Sequence, residues 1–156
     1  MTDEPDHMDI DELWAALPDS SGYRRGDILF NLAQRLMGDD TSAAFAAAEQ
    51  AAAQFAELNL NREQMWCTDL MAHCRDLDGD PQGAHDLHIK AMTFLDPMSS
   101  TIDRGSAYSC AGTSAKNLNR YAESIEHFTN ALNLAFDEPG DRSEEHTSEL
   151  QSRGLI

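Results

Sequence analysis

Glycine, proline and long apolar runs are all scarce in this chain. Its 156 residues include 9 glycines and 5 prolines, and alanine is prominent, a balance that favours helix over sheet. A membrane-spanning helix needs about 20 consecutive apolar residues, and no run in the sequence approaches that length. The acidic N-terminus also lacks the basic and apolar blocks of a signal peptide. We therefore expect a cytoplasmic, mainly helical protein.

Basic residues are few as well. Lysine and arginine number 11 against 28 aspartates and glutamates, which gives a formal net charge of -17. A chain of this charge repels phosphate backbones and anionic lipid, so we expect neither nucleic acid nor a membrane as a partner. A basic protein or peptide is compatible with this charge, although acidity that serves only solubility is the simpler interpretation.

Cysteine is sparse, and recognisable catalytic motifs are missing from the sequence. Cys67, Cys74 and Cys110 are odd in number and fall in predicted helices, which favours free thiols over disulfides. No Gly-rich phosphate loop, nucleophile elbow or HExxH spacing occurs. We predict that the protein is not an enzyme and has no catalytic residue, cofactor or metal ligand.

Two groups of residues suggest a metal site but fit one poorly. Four zinc donors lie on adjacent predicted helices: His73, Cys74, His85 and His88. Because Cys74 and His73 point in different directions, a core cysteine and surface histidines are the favoured interpretation. Residues 76–80 alternate carboxylates as in an EF-hand, but Pro81 replaces the sharp-turn glycine and Leu87 replaces the bidentate glutamate. A capped turn between two helices explains that segment better.

Small residues recur at a spacing of forty positions. They form two sets, Ala51, Ala91 and Ala131, and, seven positions earlier, Ala44, Ala84 and Ser124. Residues seven apart share one face of a helix, where small side chains let a neighbouring helix approach closely. A fixed period of this size is typical of stacked, self-similar units. We predict three such units at about 22–61, 62–101 and 102–141.

A separate short helix is predicted before the first unit. Residues 1–7 are acidic and expected to be disordered, and a helix follows within 8–21. Asp9 and Glu12 resemble a capping box at its start. We interpret this helix as a lid over the first unit, with a peptide that docks in a partner's groove as the alternative.

Local start and stop signals divide the units into helix pairs. Asn61 followed by Gln64 resembles a helix cap. Asp80 and Pro81 suit the cap and first position of another helix. Asn119 suits the left-handed position between the last two helices. We therefore predict a helix, a tight turn and a helix in each unit.

Aromatic and small residues stand at set positions in the third unit, namely Tyr108, Ala111, Gly112, Ala115, Tyr121, Ser124, Phe128 and Ala131. This pattern resembles a tetratricopeptide repeat. The second unit matches less fully, since His88 stands where the family has an aromatic residue. The resemblance covers roughly 22–141 and implies an all-α, right-handed α-solenoid of three helix-turn-helix repeats. The opening at 9–22 is also similar to that of actinobacterial repeat proteins.

By this resemblance, the first helix of each pair lines a concave groove that binds a peptide or protein segment. The implied groove residues are Trp66, Asp69, His73, Asp76, Ser106, Ser109, Thr113 and Lys116, with a core position for Trp66 as the alternative. We predict a non-catalytic protein–protein interaction module. The alternative is a sensor or regulatory portion of a larger transcription regulator or signalling enzyme whose effector domain is missing.

The C-terminal residues 142–156 resemble a translated sequencing adapter. Residues 142–152 match its translation without a break, and 153–156 fit its continuation. We expect a non-native tail, whose removal changes the net charge from -17 only to -16 because it holds two arginines and three glutamates. Further repeats or another domain would then be missing. The last helix would expose Ile125, Leu132 and Phe136, a face suited to self-association.

Overall fold

The structure, a computed structural model, describes residues 4–137, and within this range it contains helices and no strand. The helices are α1 (Ile10–Ala16), α2 (Gly22–Leu36), α3 (Thr41–Glu57), α4 (Asn61–Leu77), α5 (Pro81–Met92), α6 (Thr101–Asn117) and α7 (Tyr121–Phe136). A short 3₁₀ turn at Pro5–His7 precedes them. The predicted adapter-like tail at 142–156 lies outside the described residues.

Successive helices pack against one another along the described chain. The most extensive contacts join α2 to α3, α3 to α4, α4 to α5, and α6 to α7. Short connections place consecutive helices side by side, and α2–α3, α4–α5 and α6–α7 form three such pairs. The all-helical architecture predicted from the forty-residue period is confirmed, and the packing is consistent with a helical repeat. In this part of the chain, no helix combines the length and apolar character needed to cross a membrane.

The small residues spaced by forty lie where helices meet. Five of the six are buried: Ala44, Ala51, Ala84, Ala91 and Ser124. The sixth, Ala131 on α7, is half-buried. The hydroxyl of Ser124 donates a 2.8 Å hydrogen bond to the main-chain oxygen of Gly112. Such a bond requires α7 to approach the backbone of α6 closely, which small side chains at the contact permit.

Two glycines allow an aromatic ring to lie directly on a helix backbone. A Cβ placed on Gly26 of α2 would be 2.6 Å from Cε1 of Phe55 on α3. One placed on Gly112 of α6 would be 3.1 Å from Cε1 of Phe128 on α7. Both distances are well below the roughly 3.5–4.0 Å at which carbon atoms pack comfortably. The first and third helix pairs therefore share this ring-on-glycine contact.

Three of the predicted local signals are confirmed in atomic detail. The amide of Glu12 donates to Asp9 Oδ1 at 2.9 Å, and the amide of Asp9 donates to Glu12 Oε2 at 2.8 Å. The amide of Gly83 donates to Asp80 Oδ1 at 2.9 Å, so Asp80 caps α5. Asn119 has φ of 60°, the left-handed conformation expected between α6 and α7. These contacts satisfy main-chain groups that helix ends leave without partners.

The predicted cap at Asn61 is wrong. Asn61 is already the first residue of α4, and the cap position falls on Leu60, which offers no side-chain acceptor. The chain reverses earlier than expected, because Asn59 takes the left-handed conformation with φ of 56°. The amide of Leu60 then donates to the main-chain oxygen of Phe55 at 3.0 Å and closes the end of α3.

The N-terminal helix α1 packs on the first pair. Leu13 is fully buried in a cluster that includes Ile28 and Leu32 of α2. Nη1 of Arg25 also donates a 2.9 Å hydrogen bond to the main-chain oxygen of Leu17, just after α1. Apolar burial and this bond both hold α1 against α2, the placement expected of a lid.

Residues 4–7 form an ordered turn, although the sequence predicts disorder over 1–7. Pro5 is buried within the Pro5–His7 turn. Nη2 of Arg35, on α2, donates a 2.8 Å hydrogen bond to the main-chain oxygen of Asp6. The acidic composition of this segment predicts disorder. Composition does not reveal the contact with Arg35, which lies 29 residues away from Asp6 in the sequence.

The last helix exposes the apolar face that the sequence predicts. Ile125, Leu132 and Phe136 are 66%, 58% and 70% exposed, respectively. These positions are spaced by seven and four residues and therefore lie on one side of α7. The exposure is confirmed.

Two helix glycines give a matched test of the close helix approach. Gly26→Ala should lower the free energy of unfolding by about 1–3 kcal/mol, because the methyl group would overlap the buried ring of Phe55. Gly105→Ala should raise it by about 0.5–1 kcal/mol, since nothing lies within 4 Å of its Cβ and alanine favours helix. Urea denaturation measures both. Equal effects of the two variants would contradict the close-packing explanation.

Candidate ligand-binding pockets

The first helices of the three pairs present their side chains to two neighbouring pockets. On α4, the predicted groove residues Trp66, Asp69, His73 and Asp76 follow a 3-4-3 spacing and so share one helix face. Trp66 lies at a pocket shared with α2, and His73 and Asp76 lie at a pocket shared with α6. One face of α4 therefore connects the two sites.

The first site, here called the aromatic pocket, lies between α2 and α4 and has a volume of about 360 Å³. Its lining residues are Asp6, Tyr23, Asp27, Phe30, Asn31, Gln34, Phe55, Glu63 and Trp66. Three of these carry carboxylates and four carry aromatic rings. None of these described residues is lysine or arginine, so the part of the wall that they form is acidic and aromatic.

Trp66 is neither a surface residue nor a core residue, because its side chain is half-buried. Its ring centre lies 6.4 Å from that of Phe30 across the pocket. The guanidinium carbon of Arg62 lies 4.6 Å from the same ring centre, a cation–π contact. Nε of Arg62 is also 2.8 Å from Oδ2 of Asp103 on α6. The indole is therefore held in place at the edge of the pocket.

Asp27 lies in an environment that disfavours its charge. Partial burial is the largest influence and raises the pKa of its carboxyl, and the nearby negative charge of Asp6 raises it further. Arg24 and a 3.1 Å hydrogen bond from Asn31 Nδ2 act in the opposite direction. The pKa of Tyr23 is likewise raised, first by burial and then by Asp27. This end of the pocket has an excess of negative charge.

The second site, here called the histidine pocket, lies among α4, α5 and α6 and has a volume of about 240 Å³. Its lining residues are His73, Asp76, His88, Ser109, Cys110, Thr113 and Ser114. Four of the eight predicted groove residues thus meet here, two from α4 and two from α6. Thr113 Oγ1 donates a 2.9 Å hydrogen bond to the main-chain oxygen of Ser109.

His88 occupies the centre of this arrangement. Its Nδ1 lies 3.0 Å from Oδ1 of Asp69, a half-buried residue on α4. Its ring centre lies 5.4 Å from that of His73, and the two rings are steeply inclined at 73°. Asp69 therefore contributes to the site through His88 and is not itself one of the pocket's lining residues.

The prediction of surface histidines is wrong for two of the three. His85 and His88 are each only 2% exposed, whereas His73 is exposed as expected. Each buried imidazole has a carboxylate partner, which offsets the cost of removing a polar ring from water. For His85 this is Glu123, whose Oε1 lies 2.9 Å from Nε2.

His85 also links three helices. Its Nδ1 lies 2.8 Å from the hydroxyl of Ser114 on α6, while Glu123 belongs to α7. A carboxylate can only accept hydrogen bonds, so Nε2 carries the hydrogen that faces Glu123. Among the four donors that the sequence suggests for zinc, Cys74 is buried and His85 is engaged here, whereas His73 and His88 meet in the histidine pocket.

The remaining predicted groove residues lie outside both pockets. Ser106 is exposed on α6. Lys116 is exposed near the end of α6. Sequence reasoning missed the contribution of α2, although Tyr23, Asp27 and Phe30 already show the 4-3 spacing of one helix face.

The three cysteines are free thiols within helices, as predicted. Burial is the main cause that raises the pKa of Cys67 to about 12 and that of Cys110 to about 11. Burial also raises the pKa of Cys74. All three are therefore protonated near neutral pH and are weak nucleophiles in this state.

No protein-family model matches this chain, and no curated protein matches it. The tetratricopeptide resemblance therefore stays a prediction that depends on the residues quoted above. What the described residues provide is an acidic aromatic pocket and a histidine pocket joined by one face of α4. The first is suited to a cationic ligand by charge, and the second contains several groups that can bind a metal ion.

Because the negative charge of Asp27 is disfavoured at this end of the aromatic pocket, we predict that Asp27→Asn stabilises the fold to an extent that depends on pH. A raised carboxyl pKa destabilises the fold at pH values above the ordinary pKa of 3.8. The cost is absent below that value, grows as pH rises from it to the folded pKa, and is complete above the folded pKa. The variant keeps an acceptor for Asn31. We expect a higher melting temperature than the parent at pH 7, and a gain that shrinks toward zero on acidification.

The control is Glu49→Gln, which removes the same charge from an exposed position on α3. The melting temperatures of the parent, Asp27→Asn and Glu49→Gln are measured across the pH range. They separate the effect of the pocket around Asp27 from the effect of the net charge of the chain. An equal gain in both variants would mean that overall net charge, and not the pocket, causes the effect.

Proposed function

We propose that this chain is a non-catalytic interaction module of the tetratricopeptide type, which binds a basic peptide segment of another protein. The observation that most directly supports this is the aromatic pocket, whose described lining residues combine three carboxylates and four aromatic rings and include no lysine or arginine. A right-handed solenoid is part of the proposal, supported by three consecutive helix pairs. The free thiols support a reducing, cytoplasmic setting.

The chemistry of the pocket favours lysine or arginine side chains in the partner. Asp27 and Glu63, from α2 and α4, present carboxylates on either side of the cleft. Aromatic rings attract cations over their faces by about 0.5–2 kcal/mol. Arg62 on Trp66 already shows one such contact within the chain. A partner's cation would place its charge near Asp27, where the surrounding charge is negative.

A second proposal concerns α7. Its exposed apolar face carries Ile125, Leu132 and Phe136, and exposed apolar patches on soluble proteins mark interaction sites. A second copy is the occupant that we propose, because one surface suffices for both sides of a two-fold contact. The same face also supports the alternative that this chain is a regulatory portion of a larger protein, with a further helix covering α7.

Binding of a lysine- and arginine-rich peptide tests the first proposal. Isothermal titration should show binding to this peptide and none to its glutamate-substituted counterpart, and added salt should weaken the binding. Glu63→Gln should raise Kd about two- to fivefold, the effect of losing a partly exposed ion pair. The matched control Glu49→Gln should leave Kd unchanged. Equal binding of both peptides would contradict a basic partner.

Self-association through α7 is tested by a pair of adjacent substitutions. Leu132→Glu places a charge on the apolar face, whereas Asn133→Glu adds the same charge at the neighbouring exposed position. Sedimentation equilibrium should show a dimer for the parent and for Asn133→Glu, and a monomer for Leu132→Glu. A monomeric parent at high concentration would refute the dimer and leave the peptide-binding proposal untouched.

A further inference from the structure

We infer that His73, Asp76 and His88 bind a divalent transition-metal ion, best matched by Zn²⁺, and that Asp69 positions His88 for this role. The ligand atoms of these three residues lie within 4.8 Å of one another. All three residues line the histidine pocket. The site is distinct from the aromatic pocket and does not depend on peptide binding.

The distances are close to those of a metal site. Zinc ligands bond at about 2.0–2.2 Å, which places two ligands of a tetrahedral ion roughly 3.3 Å apart. Each pair of ligand atoms must therefore approach by at most about 1.5 Å. His73 is exposed and so has room for this adjustment, whereas His88 is held by its surroundings. His73 and Asp76 are three residues apart on α4, so both can reach one ion.

The hydrogen bond between Asp69 and His88 leaves His88 in the tautomer that a metal ion needs. Because an ionised carboxylate only accepts, the 3.0 Å contact places the ring hydrogen of His88 on Nδ1. Nε2 is then left with the lone pair that a metal ion needs. Histidine ligands usually have such an outer carboxylate, which fixes both the tautomer and the ring orientation.

The donor set identifies the class of metal. Two imidazoles and one carboxylate suit zinc and neighbouring transition metals, whereas calcium and magnesium prefer oxygen ligands alone. The pocket, which Ser109 and Thr113 of α6 also line, has room for water to fill a fourth position. The net charge of -17 also raises the local concentration of cations.

A competing set of donors consists of Asp69, His88 and Cys110, whose ligand atoms also lie within 4.8 Å of one another. Binding there would require the Asp69–His88 hydrogen bond to break. It would also need the thiolate form of Cys110 as a ligand. The set with His73 and Asp76 keeps the hydrogen bond and needs no thiolate, so we favour it.

The test uses the untagged full chain, freed of metal by a chelator and titrated with Zn²⁺ alone. We expect one bound ion per chain and a higher melting temperature in its presence. His73→Ala and Asp76→Asn should each raise the zinc Kd at least tenfold. Asp69→Asn should raise it about 10- to 100-fold, as expected for an outer-shell partner.

Two controls exclude other origins of binding. Asp86→Asn makes the same charge change as Asp76→Asn at an exposed position on α5, and it should leave the zinc Kd unchanged. His7→Ala removes a member of the exposed Glu4, Asp6 and His7 cluster and should also have no effect. Loss of binding in His7→Ala would move the ion to the N-terminal turn and overturn the inference.

Cobalt distinguishes the two donor sets in the pocket. We expect Co²⁺ bound to the chain to lack a thiolate charge-transfer band, and its spectrum to be the same in Cys110→Ser. A strong band that disappears in Cys110→Ser would assign the ion to Asp69, His88 and Cys110 and contradict the proposed ligands. Failure of the chain to bind zinc, with an unchanged melting temperature, would overturn the site altogether.

Discussion

Close approach between helices is the constraint on which the rest of this structure depends. Alanine, serine or glycine stands at many of the positions where one helix meets the next, and five of the six small residues spaced by forty are buried. The short helix separation lets the Phe55 ring lie on Gly26 and lets a serine hydroxyl reach the backbone of the adjacent helix. With little apolar bulk per contact, each helix needs neighbours on both sides to bury a sufficient area.

The histidine pocket can be understood as a variation on this repeated packing. His88 lies forty residues before Phe128, and Ala72 lies forty residues before Gly112. The position that holds a ring against a small residue in the third pair therefore holds an imidazole in the second. Phe128 is half-buried, whereas His88 is buried and has Asp69 as its hydrogen-bond partner. His88 therefore departs from the aromatic residue of the repeat pattern and at the same time forms part of the histidine pocket.

The sequence predicted the features that depend on nearby residues. The helix pairs, the capping box at Asp9, the cap at Asp80 and the exposed face of α7 all follow from spacings of a few residues. The features that it missed depend on distant partners. Burial of His85 is compensated by Glu123, 38 residues away, and the turn around Asp6 is held by Arg35, 29 residues away. Half of the groove residues that the tetratricopeptide resemblance implies, all on α4 and α6, lie in one pocket, but the resemblance was not extended to the α2 wall.

The link from His85 to Glu123 has a consequence for how this chain loses structure. In a stack where each unit touches only its neighbours, opening starts at whichever end is held least. Within the described residues α7 packs mainly on α6, and its opposite face, which carries Ile125, Leu132 and Phe136, is exposed to solvent. If α7 detached, His85 on α5 of the second pair would lose its carboxylate partner, Glu123. The contact between His85 and Glu123 therefore opposes fraying of the last helix and couples it to the second pair.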